Sequence, residues 1–163
     1  MKIARLLPRF VLSGVVAGFV WSASTGCSTI NRPRAAVAAP VVVDQSSEAT
    51  KLEFRVELSN PNDEATPVRR FEYRVSIDGR EVFESKRSTA VTMPPRGSQT
   101  IVLPAIVPHS SVGGALNGER AYSIRGKLVY IAPGALAEAL FDTGVRVPSA
   151  SFSASGRADF STP

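Results

Sequence analysis

The chain has 163 residues, of which 44% are hydrophobic and 20% charged, so its length suits one folded domain and not two. Its formal net charge is +5, but outside Lys2, Arg5 and Arg9 it carries 16 basic residues against 14 acidic ones, and these are interleaved. Nucleic-acid binders concentrate their basic residues in a patch or stripe, so we expect no nucleic-acid partner.

The N-terminal segment has the pattern of an export signal. Its three basic residues precede the uncharged apolar run Phe10–Ala23. Basic residues followed by such a run are typical of a secretory signal peptide. The run has about fourteen residues, whereas a helix that crosses a bilayer requires about twenty. We predict that residues 1–26 are a signal peptide for the general export route.

Cys27, the one cysteine of the chain, follows this segment directly. The stretch Ser24-Thr25-Gly26-Cys27 resembles the lipobox of bacterial lipoproteins, in which the cysteine is acylated. The resemblance implies a lipid anchor on Cys27 and, with Ser28 next, an outer-membrane position facing the periplasm. Ser24 stands where that family usually has an aliphatic residue. The alternative is ordinary cleavage after residues 22–24, which would leave a secreted or periplasmic soluble protein.

Residues 27–47 are rich in alanine, proline and valine. Such a composition offers little to bury and favours extended backbone. We predict a tether between the membrane and a domain that spans residues 48–163. Val41–Val43 is the exception, because a triplet of β-branched residues could join the sheet as a first strand.

From Lys51 onward the hydrophobic residues alternate with polar ones, as in half-buried strands. Asp78-Gly79 predicts a tight hairpin, and Gly126 a bulge or a close-packing point inside a strand. The Ala- and Leu-rich segment Gly134–Phe141 predicts a short helix. The predicted strands are residues 51–58, 71–77, 80–87, 100–103, 122–130, 145–147 and 152–160. The sequence therefore predicts an all-β sandwich of the immunoglobulin or fibronectin type III kind, with about seven strands and one short helix near the C-terminus.

Three segments, Leu52–Asn62, Tyr73–Val82 and Pro94–Ser98, resemble the type 2 late embryogenesis abundant proteins, and in particular their WHy (water stress and hypersensitive response) domain. The resemblance covers about residues 52–147. It implies a folded fibronectin-like sandwich, a role in tolerance of dehydration or other stress, and no catalytic residues. The chain departs from the pattern in its Ala-rich helical segment and in residues 67–70, which are more basic than expected.

Four residues are candidates for contact with a ligand or partner. Asn60 and Asn62 could form a contact loop, although asparagine and proline also favour turns for local reasons. Arg69 and Arg70 could bind anionic lipid or glycan headgroups, as basic clusters near membranes do. Neighbouring glutamates make a solvated edge the alternative reading of this arginine pair.

His109 is the one histidine, so a hydrolase triad would have to include it. No Gly-x-Ser-x-Gly motif accompanies it, and we interpret it as an exposed loop residue. Glu138 and Asp142 are interpreted as exposed charges of the short helix and not as a glycosidase pair. With one histidine and one cysteine, we expect no metal site and no cofactor.

The leading hypothesis is therefore a non-enzymatic envelope lipoprotein that protects proteins or envelope components during water loss. Its partners would be the membrane, through the lipid on Cys27, and protein clients. The alternative is a structural or assembly lipoprotein that binds a protein partner through the sandwich surface or a strand edge.

Overall fold

The structure, a computed structural model, describes residues 30–161, so the predicted signal peptide and Cys27 lie outside the described residues. Nine strands in two antiparallel sheets and two short helices make up the described part. In chain order they are β1 (Arg34–Val37), β2 (Val41–Gln45), β3 (Ala49–Ser59), β4 (Thr66–Ile77), β5 (Arg80–Ser88), β6 (Thr92–Met93), β7 (Ser98–Pro108), α1 (His109–Val112), β8 (Glu119–Tyr130), α2 (Ala137–Asp142) and β9 (Ser149–Asp159).

The first sheet is built around β3. Its alternating apolar side chains point into the core and are fully buried: Leu52, Phe54, Val56 and Leu58. β7 pairs with β3 along its whole length, from Ala49 opposite Pro108 to Ser59 opposite Ser98. β1 and β2 follow one another along the opposite edge of β3, so they act as one interrupted edge strand.

This edge strand corrects the tether prediction. Residues 34–45 belong to the first sheet. In the gap between β1 and β2, the backbone N–H of Ala38 donates a 2.9 Å bond to the carbonyl of Arg55, so the pairing with β3 continues there. Ala35, Val37 and Val42 pack against the core. The prediction was wrong here because small apolar side chains can fill an edge position, where proline is also tolerated. The expected strand at Val41–Val43 is confirmed.

The second sheet has the order β5, β4, β8, β9, with β6 paired to the start of β4. The β4–β5 hairpin turns at Asp78 and Gly79, both with positive φ, as the sequence predicted. Gly126 is also confirmed as a close-packing point. A Cβ there would lie 2.6 Å from the Phe152 ring and 2.8 Å from Tyr73 Cβ.

The excursion between β8 and β9 differs in part from the prediction. It contains the expected short helix, α2, but Val145–Val147 forms no strand. The backbone N–H of Arg146 bonds to the carbonyl of Leu140, so α2 and not a neighbouring strand holds this segment.

The two sheets enclose one core and are joined by a hydrogen bond from the Tyr73 hydroxyl to the Pro104 carbonyl, 2.6 Å long. The predicted all-β sandwich is thus confirmed, with the interrupted edge strand and the short β6 raising the strand count. We call the end formed by residues 30–33, 60–65, 94–97 and 131–148 the basal end. The apical end comprises residues 46–48, 78–79 and 109–118.

Candidate functional site

The hydrogen bonds of the basal end centre on Asn60, which is only 1% exposed. Its side-chain amide donates to the carbonyls of Glu64 (2.8 Å) and Pro94 (3.0 Å). Its side-chain oxygen accepts bonds from the backbone and side-chain N–H groups of Asn62, both 3.1 Å, and from the Thr66 hydroxyl at 3.3 Å. One buried side chain therefore fixes the 60–66 loop against the turn that precedes β7.

Asn62 extends this network to the start of the described chain. Its side-chain oxygen accepts the backbone N–H of Asn31, and its amide donates to the Asn31 carbonyl, both at 2.9 Å. Its own carbonyl accepts the backbone N–H of Arg96. The pair of bonds to Asn31 resembles a short strand pairing, and it attaches the chain that leads toward Cys27 to the sandwich.

These contacts support the structural reading of Asn60 and Asn62. Both side chains are buried and form hydrogen bonds within the chain, so they stabilise the turn. Contact of these asparagines with an external ligand stays a prediction, and this geometry does not support it. The sequence pointed to the asparagines but not to their partners, since Asn31 and Pro94 lie about thirty residues away in opposite directions.

Arg69 and Arg70 do not form one basic site. Arg69 pairs with Glu138 of α2 at 2.7 Å, both side chains being well exposed. Arg70 bonds to Glu72 at 2.7 Å on the outer face of the second sheet. Each arginine thus has a carboxylate partner, in agreement with the solvated-edge alternative, and Arg69 attaches α2 to the start of β4.

Glu72 is the centre of a mixed-charge cluster on that face. Besides Arg70, Lys127 lies 3.1 Å and Lys86 3.9 Å from its carboxylate oxygens. The bond from Lys127 and that from Arg70 lower the pKa of Glu72, in opposition to partial burial, which raises it. Three cations around one carboxylate leave this part of the face locally basic.

His109 is not the exposed loop residue that the sequence predicted. It begins α1 and is partly buried, with Nε2 3.0 Å from the hydroxyl of the fully buried Thr50 and Nδ1 3.1 Å from the Ser47 carbonyl. Because a carbonyl only accepts, Nδ1 carries a proton and donates it. The buried threonine cannot meet a substrate, so this pair holds the apical turn to the sandwich.

The described residues hold no group of three or more histidine, cysteine, aspartate or glutamate side chains that could bind a metal ion. At the basal end there is a hollow of about 200 Å³, lined by Ile30, Asn62 and Pro133 among others. Beside it Arg96 bonds to Asp63 and lowers the pKa of that carboxyl. The hollow shows that residue 30 and the excursion after β8 lie next to each other.

The surface of the basal end is apolar for an exposed loop. Leu136 is 71% and Val145 75% exposed, and Val147 and Ile30 are also exposed. Two arginines at this end, Arg32 and Arg146, and Arg34 at the adjoining start of β1 form no ion pair within residues 30–161. Two of them, Arg32 and Arg146, lie close enough to Tyr130 to oppose the rise in its pKa that burial causes.

Within residues 30–161, no helix has the length and apolar character to span a membrane.

Comparison with solved structures shows where this sandwich recurs. The chain is similar to a protein from Arabidopsis thaliana, with a TM-score of 0.63 at 18% identity over 82% of this chain and 85% of that one. It is also similar to a structural genomics target, with a TM-score of 0.51 at 14% identity over 83% and 91%. A protein from Archaeoglobus fulgidus superposes with a TM-score of 0.49 at 12% identity, over 83% of this chain and all of that one.

At these identities the first two likenesses show the fold alone. No curated protein matches the chain. Residues 55–156, more than half of the chain, match the LEA_2 family, described as late embryogenesis abundant protein. The chain therefore belongs to the LEA_2 family of late embryogenesis abundant proteins.

Proposed function

We propose that this protein is a non-enzymatic lipoprotein of the bacterial envelope that protects proteins or envelope components during water loss or related stress. The observation that carries the proposal is that the LEA_2 domain follows a predicted export signal and a cysteine in a lipobox-like sequence. Acyl chains on Cys27 would hold the domain at the membrane, since several chains on one residue anchor a protein stably. The outer membrane, facing the periplasm, is the proposed location.

A surface role fits the described side chains. The outer faces of both sheets carry charges of both signs, for example the Arg74–Glu84 pair at 2.9 Å on the second sheet. Interspersed charges keep a surface hydrated and limit self-association. As water is lost, such a face could replace water as a hydrogen-bonding partner for neighbouring proteins and lipid headgroups.

The geometry around His109 supports a function without nucleophilic catalysis. Its ring bonds to a buried threonine and a backbone carbonyl. A hydrolase would require an accessible nucleophile beside the imidazole and a group that orients it. Replacement of His109 by alanine should therefore lower stability and leave protection per folded molecule unchanged.

The test is protection of a labile enzyme during drying and rehydration in the presence of the purified mature protein. We expect recovered activity to exceed that obtained with an equal mass of albumin. In cells, the Cys27→Ala variant should lose its effect on survival after drying while the protein is still exported. Protection no better than albumin would contradict the protective role, whereas full activity of Cys27→Ala would contradict the need for an anchor.

A second candidate function, docking of a protein partner, is favoured by β9. This strand pairs with β8 along one edge. No strand of the described part is paired by hydrogen bonds with the other edge, although β1 packs beside it. Edge strands are usually protected by charges or proline. β5 is charged along its length and β7 contains Pro104 and Pro108, whereas β9 has neither from Ser149 to Gly156.

An extended segment of a partner could add to this edge by entering between β9 and β1. A photo-crosslinking residue at Ser153 would test this in cells. One stoichiometric protein would favour an assembly role, and recovery of abundant bystanders alone would count against it.

A further inference from the structure

We infer that the basal end docks on the lipid bilayer, with Leu136 and Val145 inserted at the boundary between headgroups and acyl chains. The inference rests on the lipid anchor at Cys27 that is part of the proposed function. It adds an orientation and a contact surface, neither of which follows from an anchor alone, because a long tether would leave the domain free to turn.

The covalent distance from the anchor is short. Asn31 is fixed to the sandwich by its two bonds to Asn62. Three residues lie between Cys27 and Asn31, and the four residue steps from one to the other span at most about 14 Å in an extended chain. A tether of residues 27–47, as the sequence suggested, would have reached roughly 70 Å. The incorporation of residues 34–45 into the first sheet therefore brings the basal end to the membrane.

The apolar side chains lie at this same end. Ile30 shares a hollow with Pro133, at the start of the excursion that carries Leu136, Val145 and Val147. The other large exposed apolar residues lie on the outer face of the first sheet: Val41, Val43, Val102 and Ile106. On that face the charged column of β3 separates β2 from β7, since Glu53 pairs with Val41 and Arg55 with Val102. The basal end thus offers the better apolar surface for lipid.

The charges at the basal end are nearly balanced, so the apolar side chains and the short distance to the anchor carry the docking. Arg32, Arg34 and Arg146 have no ion-pair partner in the part of the chain that the structure describes, and the same holds for the acidic Glu64 and Asp142. Basic residues close to a bilayer are attracted by anionic headgroups, and apolar side chains beside them enter the interface. The ion pair between Arg69 and Glu138 fixes α2, so the excursion presents its apolar residues in a defined position.

Tryptophan fluorescence can test this orientation because the one tryptophan of the chain, Trp21, lies in the predicted signal peptide. We would introduce Leu136→Trp at the basal end and, as a control, Ala115→Trp, an exposed position at the apical end. Each acylated chain, extracted from membranes, would be placed in vesicles of phosphatidylethanolamine and phosphatidylglycerol. Emission would be compared between ordinary lipids and lipids brominated on their acyl chains.

We expect the tryptophan at position 136 to lose emission to the brominated lipids and the tryptophan at position 115 to retain it. Equal quenching at the two positions, or none at either, in a chain whose mass shows acyl groups would overturn the docking while leaving the anchor intact. A mature chain without acyl groups would instead overturn the anchor, and the docking with it. Photo-crosslinking of position 136 to one stoichiometric protein would overturn the lipid contact in favour of a protein interface.

A charge variant gives a second measurement. In the Leu136→Trp background, Val145→Glu should lower the ratio of docked to undocked chains about tenfold or more, because an inserted apolar side chain is lost. Val102→Glu, an exposed position on the outer face of the first sheet, is the matched control and should leave quenching unchanged. An equal effect of the two variants would contradict insertion at position 145.

Discussion

The basal and apical ends of the sandwich differ in which side chains they bury and which they expose. At the basal end the polar side chains of Asn60 and Asn62 are buried, while Leu136 and Val145 are exposed. At the apical end Leu116 is instead fully buried, and none of the loop residues is among the large exposed hydrophobic side chains within residues 30–161. Large exposed apolar patches usually mark a site of interaction, so the basal end is the candidate contact surface.

The two ends also differ in how many hydrogen bonds converge on one buried side chain. The basal network connects three separate segments, at residues 31, 60–66 and 94–97. The apical bonds also join distant segments, since His109 bonds to Ser47 and Gln45 to Leu116. The buried Thr50 there bonds through a single hydroxyl, whereas the side chain of Asn60 at the basal end makes five hydrogen bonds. We therefore expect the basal network to contribute more stability, and the following predictions test that difference.

The largest effect is expected for Asn60→Ala. The substitution leaves the Glu64 and Pro94 carbonyls and the Thr66 hydroxyl without a buried partner, so the free energy of unfolding should fall by about 3 kcal/mol or more. Urea unfolding of the mature protein measures this. Asn117→Ala, at an exposed apical position, is the control and should change stability by less than about 0.5 kcal/mol. Equal losses would contradict the central role of Asn60.

A smaller loss is expected at the apical end for Thr50→Val. The new side chain fills the same space but removes the hydroxyl that bonds to His109 Nε2, which should cost about 1 kcal/mol. Urea unfolding would be followed beside hydrogen exchange of residues 46–49, which should accelerate. A loss as large as that of Asn60→Ala would show that the two ends are equally important.

Acid should weaken both ends through their exposed ion pairs. Arg120 and the backbone N–H of Ala121 lower the pKa of Asp78 at the apical end, as Arg96 lowers that of Asp63 at the basal end. A carboxyl with a lowered folded-state pKa contributes stability that is present above its ordinary pKa and is lost as the pH falls below about 4. Thermal unfolding from pH 6 to pH 3 should show this decline. It should be shallower in Asp78→Asn and Asp63→Asn, and an unchanged slope in both would contradict the assignment.

The smallest effect on stability is expected for Leu136→Glu. The side chain is 71% exposed, so the free energy of unfolding in solution should change by less than about 0.5 kcal/mol. Urea unfolding of the variant and of Ala115→Glu should give equal midpoints. A marked loss specific to position 136 would mean that Leu136 serves the fold, and the proposed contact with lipid would lose its support.

The strands that alternate in hydrophobicity could be predicted from the sequence because their pattern records one buried face. The β4–β5 hairpin could be predicted as well, since Asp78-Gly79 fixes its turn locally. The strands β1 and β2 could not be fully predicted, because an edge strand rich in alanine has the same composition as a tether. Its structure depends on pairing with β3, which local composition does not encode.

The site residues show the same limit. The sequence indicates Asn60 and Asn62 as turn formers, but their burial depends on partners that are distant in sequence. Arg69 and Glu138 are sixty-nine positions apart in the sequence, and the structure joins them in an ion pair. The local sequence predicts an exposed loop at His109 because nothing near it indicates Thr50 as its partner. Pairings between distant segments are decided by the topology of the sheets, not by local patterns.

The most decisive measurement is the intact mass of the protein extracted from membranes. It tests the lipid anchor on Cys27, on which both the proposed function and the docking of the basal end depend. We predict a mature chain that begins at Cys27 and carries the added mass of its acyl groups. A chain that begins near residue 25 with an unmodified cysteine would contradict it.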